Sequence, residues 1–220
     1  MSLDPEQLAR RLDDVLKQAP VVPVLAIERV AQAGPLARAL VEAGLPVLEV
    51  TLRTPVALEA IRRIRIEVPS AVVGAGTVLT PTDVAAVDAA GAAFAIAPGA
   101  TPTLYAAART SSIPFLPGIA TASELMAGLE QGHTRFKFFP AEAAGGIAAL
   151  RGFAGPFPQV KFCPTGGIDA ARAPAYLALP NVVTVGGSWM VPADALAAAD
   201  WARIGTLARV AAGLRQAASH

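Results

Sequence analysis

Arg135-Phe136-Lys137-Phe138-Phe139-Pro140-Ala141-Glu142 is the stretch on which the reading of this chain turns. Its aromatic residues favour a strand, and Pro140, which cannot donate to a central ladder, closes it. Side chains alternate along a strand, so Lys137 and Phe139 share one face while Phe136 and Phe138 share the other. Lysine is depleted in strands and is rarely buried without a partner. If the phenylalanine face packs on helices, the amine points into whatever the sheet encloses. Taking an amine out of water disfavours its ammonium form, and a neutral amine attacks carbonyl carbon to give a Schiff base. The stretch alone leaves a second reading open, a lysine at a strand end whose head reaches solvent.

Seven further β-branched or apolar runs accompany it: 21–27, 47–52, 71–75, 93–97, 113–116, 160–165 and 182–185. Between them lie Ala- and Leu-rich stretches of helical pattern, several with start signals. Thr54-Pro55, Thr80-Pro81 and Thr101-Pro102 each set a capping hydroxyl before a proline suited to the first helical position. Thr121 and Glu124 have the spacing of a capping box. Ahead of the first run, Leu8, Leu12, Val15 and Leu16 predict an amphipathic helix over 4–19, ended by Pro20. The strand-helix unit repeats about every 20–25 residues without a linker, which favours one α/β domain over 1–220 built on a parallel sheet. Eight such units closing on themselves make a (β/α)8 TIM barrel with an extra N-terminal helix; an open doubly wound sheet is the alternative. No Gly-x-Gly-x-x-Gly turn follows the first run, where a dinucleotide-binding sheet needs one. Polar residues gather instead at the C-terminal ends of several runs, where barrel enzymes hold their chemistry.

The run 47–52 carries the clearest pattern. Leu48, Val50 and Leu52 fall on one face, and Glu49, Thr51 and Arg53 on the other. A buried ion pair explains this structurally. Functionally, Glu49 is placed to move protons and Arg53 to hold a carboxylate in a bidentate grip. A cation near Lys137 would further favour the free amine. Of the 18 basic residues only three are lysines, Lys17, Lys137 and Lys161. Lys17 falls near the end of the leading helix and Lys161 at the start of its strand, so Lys137 alone can meet the chemistry. Pro164-Thr165-Gly166-Gly167 and Gly186-Gly187-Ser188 follow the last two strands, where barrels often bind phosphate. Gly74-Ala75-Gly76-Thr77, Pro98-Gly99 and Pro117-Gly118, taken singly, read as ordinary turns.

Composition excludes other classes. The formal charge of +1, without a basic run, offers no field for nucleic acid or anionic lipid. Mean hydropathy is +0.49 and 54% of residues are apolar, yet no uninterrupted apolar stretch reaches the roughly 18 residues of a membrane span. An oligomer that buries apolar surface accounts for the excess. One cysteine, Cys163, and two histidines, His133 and His220, leave a catalytic metal without a ligand set. The first residues lack the layout of a secretory signal, which points to the cytoplasm.

Glu49-Val50-Thr51-Leu52-Arg53-Thr54, Gly74-Ala75-Gly76-Thr77-Val78, Phe136–Glu142, Cys163-Pro164-Thr165-Gly166-Gly167 and Gly186-Gly187-Ser188-Trp189 together resemble the 2-keto-3-deoxy-6-phosphogluconate aldolases, in order and over nearly the whole chain. The resemblance implies a metal-free, cofactor-free class I lyase of the Entner–Doudoroff pathway, assembled as a homotrimer. Its substrate would be split into pyruvate and glyceraldehyde 3-phosphate, and 4-hydroxy-2-oxoglutarate into pyruvate and glyoxylate. By the same resemblance Lys137 is the Schiff-base residue and Glu49 the general acid/base. Arg53 binds the substrate carboxylate, Thr77, Pro98, Phe139 and Thr165 line the substrate, and Gly166, Gly167, Gly187 and Ser188 bind its phosphate. Ala144 and Ala97 stand where some relatives carry asparagine and serine, which bears on loop contacts and substrate preference. The alternatives are a 2-keto-3-deoxy-6-phosphogalactonate aldolase and a phosphosugar-binding barrel without catalysis, the second having no use for a buried lysine and glutamate.

Overall fold

Short parallel strands alternate with helices after a leading helix, and the computed structural model describes them over residues 5–214. In chain order they are α1 (Pro5–Leu16), β1 (Val21–Leu25), a 3-10 turn (Val30–Gln32), α2 (Ala33–Glu42), β2 (Val47–Thr51), α3 (Ala57–Glu67), β3 (Val72–Gly76), α4 (Pro81–Ala89), β4 (Ala95–Ile96) and α5 (Pro102–Thr110). There follow β5 (Phe115–Leu116), β6 (Gly118–Ile119), α6 (Ala122–Glu130), β7 (Arg135–Phe138), α7 (Gly146–Ala154), β8 (Lys161–Pro164), α8 (Ala173–Leu177), β9 (Val185–Gly187), α9 (Ala193–Ala197) and α10 (Trp201–Ala212). The result is an α/β fold whose parallel strands form a curled sheet. Six strands pair in the order β5-β4-β3-β2-β1-β9 and three in the order β6-β7-β8. A parallel bridge between Thr165 and Gly186 links the end of β8 to β9.

The two faces of each strand divide the apolar residues into two cores. On the convex face Phe136 and Phe138 are fully buried, and Phe138 meets Phe153 and Phe162 edge-on at 6.1 and 6.5 Å. Each such side chain contributes about 1.5–3 kcal/mol by leaving water. On the concave face Val22, Val47, Phe94, Ile96, Leu116 and Cys163 form a second cluster, which Leu12 and Leu16 of α1 cover. Apolar residues thus fill the N-terminal ends of the strands, and polar ones line the concave face further along.

Three helix starts predicted from capping residues form as expected. The Thr80 and Thr121 hydroxyls accept from the backbone of Asp83 and Glu124 in reciprocal capping boxes, and Thr101 accepts from Leu104 N. Thr54 differs: its hydroxyl donates across the sheet to Ile27 O at 2.7 Å, and α3 begins at Ala57 behind Val56. The run expected to end at Pro117 continues past it, with Phe115–Leu116 pairing to β4 and Gly118–Ile119 to β7. Proline has no N–H, so the ladder breaks there while the chain stays extended. The last strand lies at 185–187, where 182–185 was expected; Val182 contributes only a single bridge to Phe162. The leading helix ends at Leu16, and Asp4 lies outside the described residues.

Candidate active site

Parallel register brings the central residues to one level of the concave face. Lys137 stands beside Gly118 on β6 and Cys163 on β8, and Glu49 beside Val24 on β1 and Gly74 on β3. The Lys137 Nζ donates to Glu49 Oε1 at 3.0 Å, with the two side chains only 7% and 2% exposed. Taking these two ions out of water costs several kcal/mol each, and their mutual contact offsets part of it. The Nζ also lies 5.3 Å from the centroid of the Phe139 ring, within range of a cation–π contact. Lys137 therefore does not reach to bulk solvent along the strand.

A cavity of about 330 Å³ opens over this pair. Lys137, Glu49, Arg53, Thr77, Pro98, Phe139 and Thr165, all singled out from the sequence, line it, together with Val24, Thr51 and Leu79. Thr51, buried on β2, donates to Leu25 O at 2.8 Å and accepts from Arg53 Nε at 3.0 Å. The hydroxyl thus orients a guanidinium that also borders a second cavity of about 190 Å³, whose lining includes Ser188. Thr77 adopts φ 60°, a left-handed conformation that costs a threonine about 1–2 kcal/mol and recurs at functional sites. Thr165 is 6% exposed, and its Oγ1 has no hydrogen-bond partner of ordinary geometry among the described residues. The Cys163 sulfur beside it is at most a weak acceptor for that hydroxyl.

Gly166, Gly167 and Gly187 do not line the cavity over the lysine. Gly166 and Gly167, at φ 106° and 76°, directly follow the lining residue Thr165, and Gly187 ends β9 before Ser188. The other lysines are remote: Lys161 Nζ donates to Pro180 O at 2.8 Å at the start of β8, and Lys17 pairs with Asp13 on α1. Burial pushes the Cys163 thiol up to about 12, with the Glu49 charge adding to it and Lys137 opposing. It stays a thiol at neutral pH and is no competing nucleophile. His133, packed on Tyr105 at 5.2 Å and Phe115 at 6.0 Å, is held by burial at about 4 and lies off the cavity.

Sequence reasoning missed what the strand-end glycines do. From the sequence, Gly76 reads as an ordinary turn glycine. A Cβ there would stand 2.1 Å from Glu49 Oε1, so the missing side chain makes room for the carboxylate. Gly186 does the same for Thr165, whose Oγ1 would lie 2.2 Å from an added Cβ. A strand side chain leans along its strand, so each glycine serves a residue on a neighbouring strand, and only the register reveals it.

Residues 12–207 match the family described as KDPG and KHG aldolase. The KHG/KDPG aldolase of Escherichia coli is 57% identical over 199 residues, covering 90% of this chain and 93% of the relative. Among solved structures, the KDPG aldolase of Legionella pneumophila, with pyruvate captured as a covalent carbinolamine intermediate, superposes with a TM-score of 0.89 at 50% identity, covering 91% of this chain and 97% of that one. The 2-keto-3-deoxy-6-phosphogluconate aldolase of Zymomonas mobilis with 3-phosphoglycerate gives 0.90 at 51% identity, covering 96% and 99%.

Proposed function

The chain belongs to the KDPG and KHG aldolase family, and on that premise we propose how it works as a Schiff-base lyase. It cleaves 2-keto-3-deoxy-6-phosphogluconate to pyruvate and glyceraldehyde 3-phosphate, and 4-hydroxy-2-oxoglutarate to pyruvate and glyoxylate. Lys137 is the nucleophile and Glu49 the acid/base. One observation carries this assignment: the 3.0 Å contact between a buried amine and a buried carboxylate under an open cavity.

A proton passed from the ammonium to the carboxylate across that contact leaves two neutral groups and gives the nitrogen a lone pair. The nitrogen attacks the C2 carbonyl carbon, and one of its two protons passes to the carbonyl oxygen, which becomes the carbinolamine hydroxyl. Glu49 returns its proton to that hydroxyl as water leaves, and the product is a cationic imine. The Glu49 carboxylate then removes the C4 hydroxyl proton. The C3–C4 bond breaks, the aldehyde departs, and the electron pair moves through C3 and C2 to the imine nitrogen, forming an enamine. Protonation at C3 and addition of water at C2 release pyruvate and restore the amine. Arg53 grips the C1 carboxylate, and Thr77, Pro98, Phe139 and Thr165 enclose the reacting carbons. The turns at Gly166-Gly167 and Gly187-Ser188 take the phosphate, so that the scissile bond is fixed between two anchors.

We read the two sheets as one (β/α)8 TIM barrel in a single domain, a reading supported by β5 and β6 lying either side of Pro117 and by the Thr165–Gly186 bridge. A cytoplasmic homotrimer acting on this small phosphorylated keto acid, without metal or cofactor, completes the proposal. Among the described residues no helix is long and apolar enough to cross a membrane. Pyruvate release coupled to NADH oxidation, compared for the gluconate substrate, its galactonate epimer and 4-hydroxy-2-oxoglutarate, tests it. The highest kcat/KM is expected for the gluconate; no pyruvate from any of the three would overturn the proposal.

A further inference from the structure

Glu142 lies outside the cavity that holds Lys137, yet it joins the two loops that follow β7 and β8. Its backbone N–H donates to Gly166 O at 3.1 Å, and the neighbouring Ala141 N–H to Thr165 O at 2.8 Å. Its carboxylate accepts from the hydroxyl of Tyr176 on α8 and pairs at 3.4 Å with Arg172, the residue before α8. One residue therefore holds both ends of the segment 166–172, and the turn at Gly166-Gly167 hangs between the ties. Gly167 is folded directly against it: a Cβ there would come within 2.7 Å of Glu142 Cγ.

The two side-chain ties differ in strength. Arg172 and Glu142 are 53% and 40% exposed, and an ion pair so open to water contributes little. Tyr176 is fully buried; its hydroxyl loses water on folding and is costly to leave without an acceptor. The Tyr176 contact is therefore the one that fixes the carboxylate.

We propose that Glu142 is a positioning residue for phosphate, setting the Gly166-Gly167 turn so that its backbone meets the phosphorylated end of the substrate. This rests on the phosphorylated keto acid being the substrate. Its observable consequence is selectivity between the two substrates. Both carry the C1 carboxylate and the C2 carbonyl, but the second carboxylate of 4-hydroxy-2-oxoglutarate is bonded directly to C4 and ends short of a phosphate carried on C6. A displaced turn should therefore impair one substrate and spare the other.

The test compares KM and kcat for both substrates in Glu142→Ala, Glu142→Gln and Tyr176→Phe. For the alanine and phenylalanine variants KM for the phosphorylated substrate should rise about tenfold, the loss of roughly one hydrogen bond to a charged group. Their kcat should hold, and their kinetics on 4-hydroxy-2-oxoglutarate should match wild type. Glu142→Gln keeps an acceptor for Tyr176 and should restore a near-normal KM. Equal losses on both substrates, or an unchanged KM in folded Glu142→Ala, would overturn the proposal. A tighter KM in Glu142→Gln would also overturn it, since the carboxylate would then act by repelling phosphate. If the alanine variant does not fold, Tyr176→Phe, which removes one oxygen, decides. Failure of wild-type protein to cleave the phosphorylated substrate would instead refute the assigned function, an outcome separate from any of these.

Discussion

Gly76→Ala is the sharpest perturbation of the proposed catalytic pair, because it replaces neither of its members. The added methyl would stand 2.1 Å from Glu49 Oε1, 2.7 Å from Cγ and 2.8 Å from Cδ. Ordinary contact begins near 3.4 Å, so the carboxyl group must retreat by more than about 1 Å, and the oxygen it would have to move is the one that accepts from Lys137 at 3.0 Å. Gly76 is not among the glycines with positive φ, so alanine fits the backbone and the strain falls on the side chain. Displacing a catalytic group by about 1 Å costs about a hundredfold in rate, while overpacking at one buried site costs about 1–3 kcal/mol of stability. Steady-state pyruvate release should therefore show kcat down about a hundredfold. KM should change little, since Arg53 and the glycine turns are untouched, and a thermal melt should still be cooperative. Gly74→Ala is the control, because the atoms nearest its methyl would be those of the Phe94 ring, at 2.4 Å, and not those of the Glu49 carboxyl. A folded Gly76→Ala protein with wild-type kcat would refute the claim that Glu49 must sit where it does.

Lys137→Met should abolish turnover and also lower stability by about 3–5 kcal/mol in urea, because Glu49 is left buried without its partner; adding Glu49→Gln should recover most of that loss, and additive losses would contradict the reasoning. Arg53→Lys should raise KM for both substrates about 10- to 100-fold, since a lysine cannot hold a carboxylate bidentately or keep the Nε bond to Thr51; steady-state kinetics check it, and an unchanged KM would remove Arg53 from carboxylate binding. His133 binds its proton at about 4 in the fold against an ordinary 6.5, so the unfolded chain takes up the proton first. Its contribution is intact above about pH 6.5 and is lost progressively as pH falls towards 4, by about 2–3 kcal/mol; His133→Leu should flatten the urea-derived stability across that window, and an unaltered slope would contradict the assignment.

The site was legible where chemistry and local periodicity coincide. A lysine among phenylalanines and an acid alternating with leucines betray an enclosed polar face, because strand alternation is a local rule. Three of four capping signals were likewise local and form as read. What escaped was set by contacts between distant segments. The Thr54 hydroxyl goes to Ile27 on another strand end, and no spacing within 54–57 announces that competitor. The continuation of the fifth run through Pro117 depends on β7 pairing with Gly118–Ile119. Gly76 and Gly186 reveal their purpose only once register sets Glu49 and Thr165 against them. The same holds for Glu142, which the sequence shows as the end of a strand motif and the fold turns into a tie between loops.

The central claim is that one amine carries the covalent chemistry. Incubating the protein with pyruvate and borohydride, then digesting it and locating the reduced adduct by mass spectrometry, tests that claim directly. A single modified peptide bearing the adduct on Lys137 is the predicted result. An adduct on Lys17 or Lys161, or no adduct while pyruvate is still released from substrate, would contradict it.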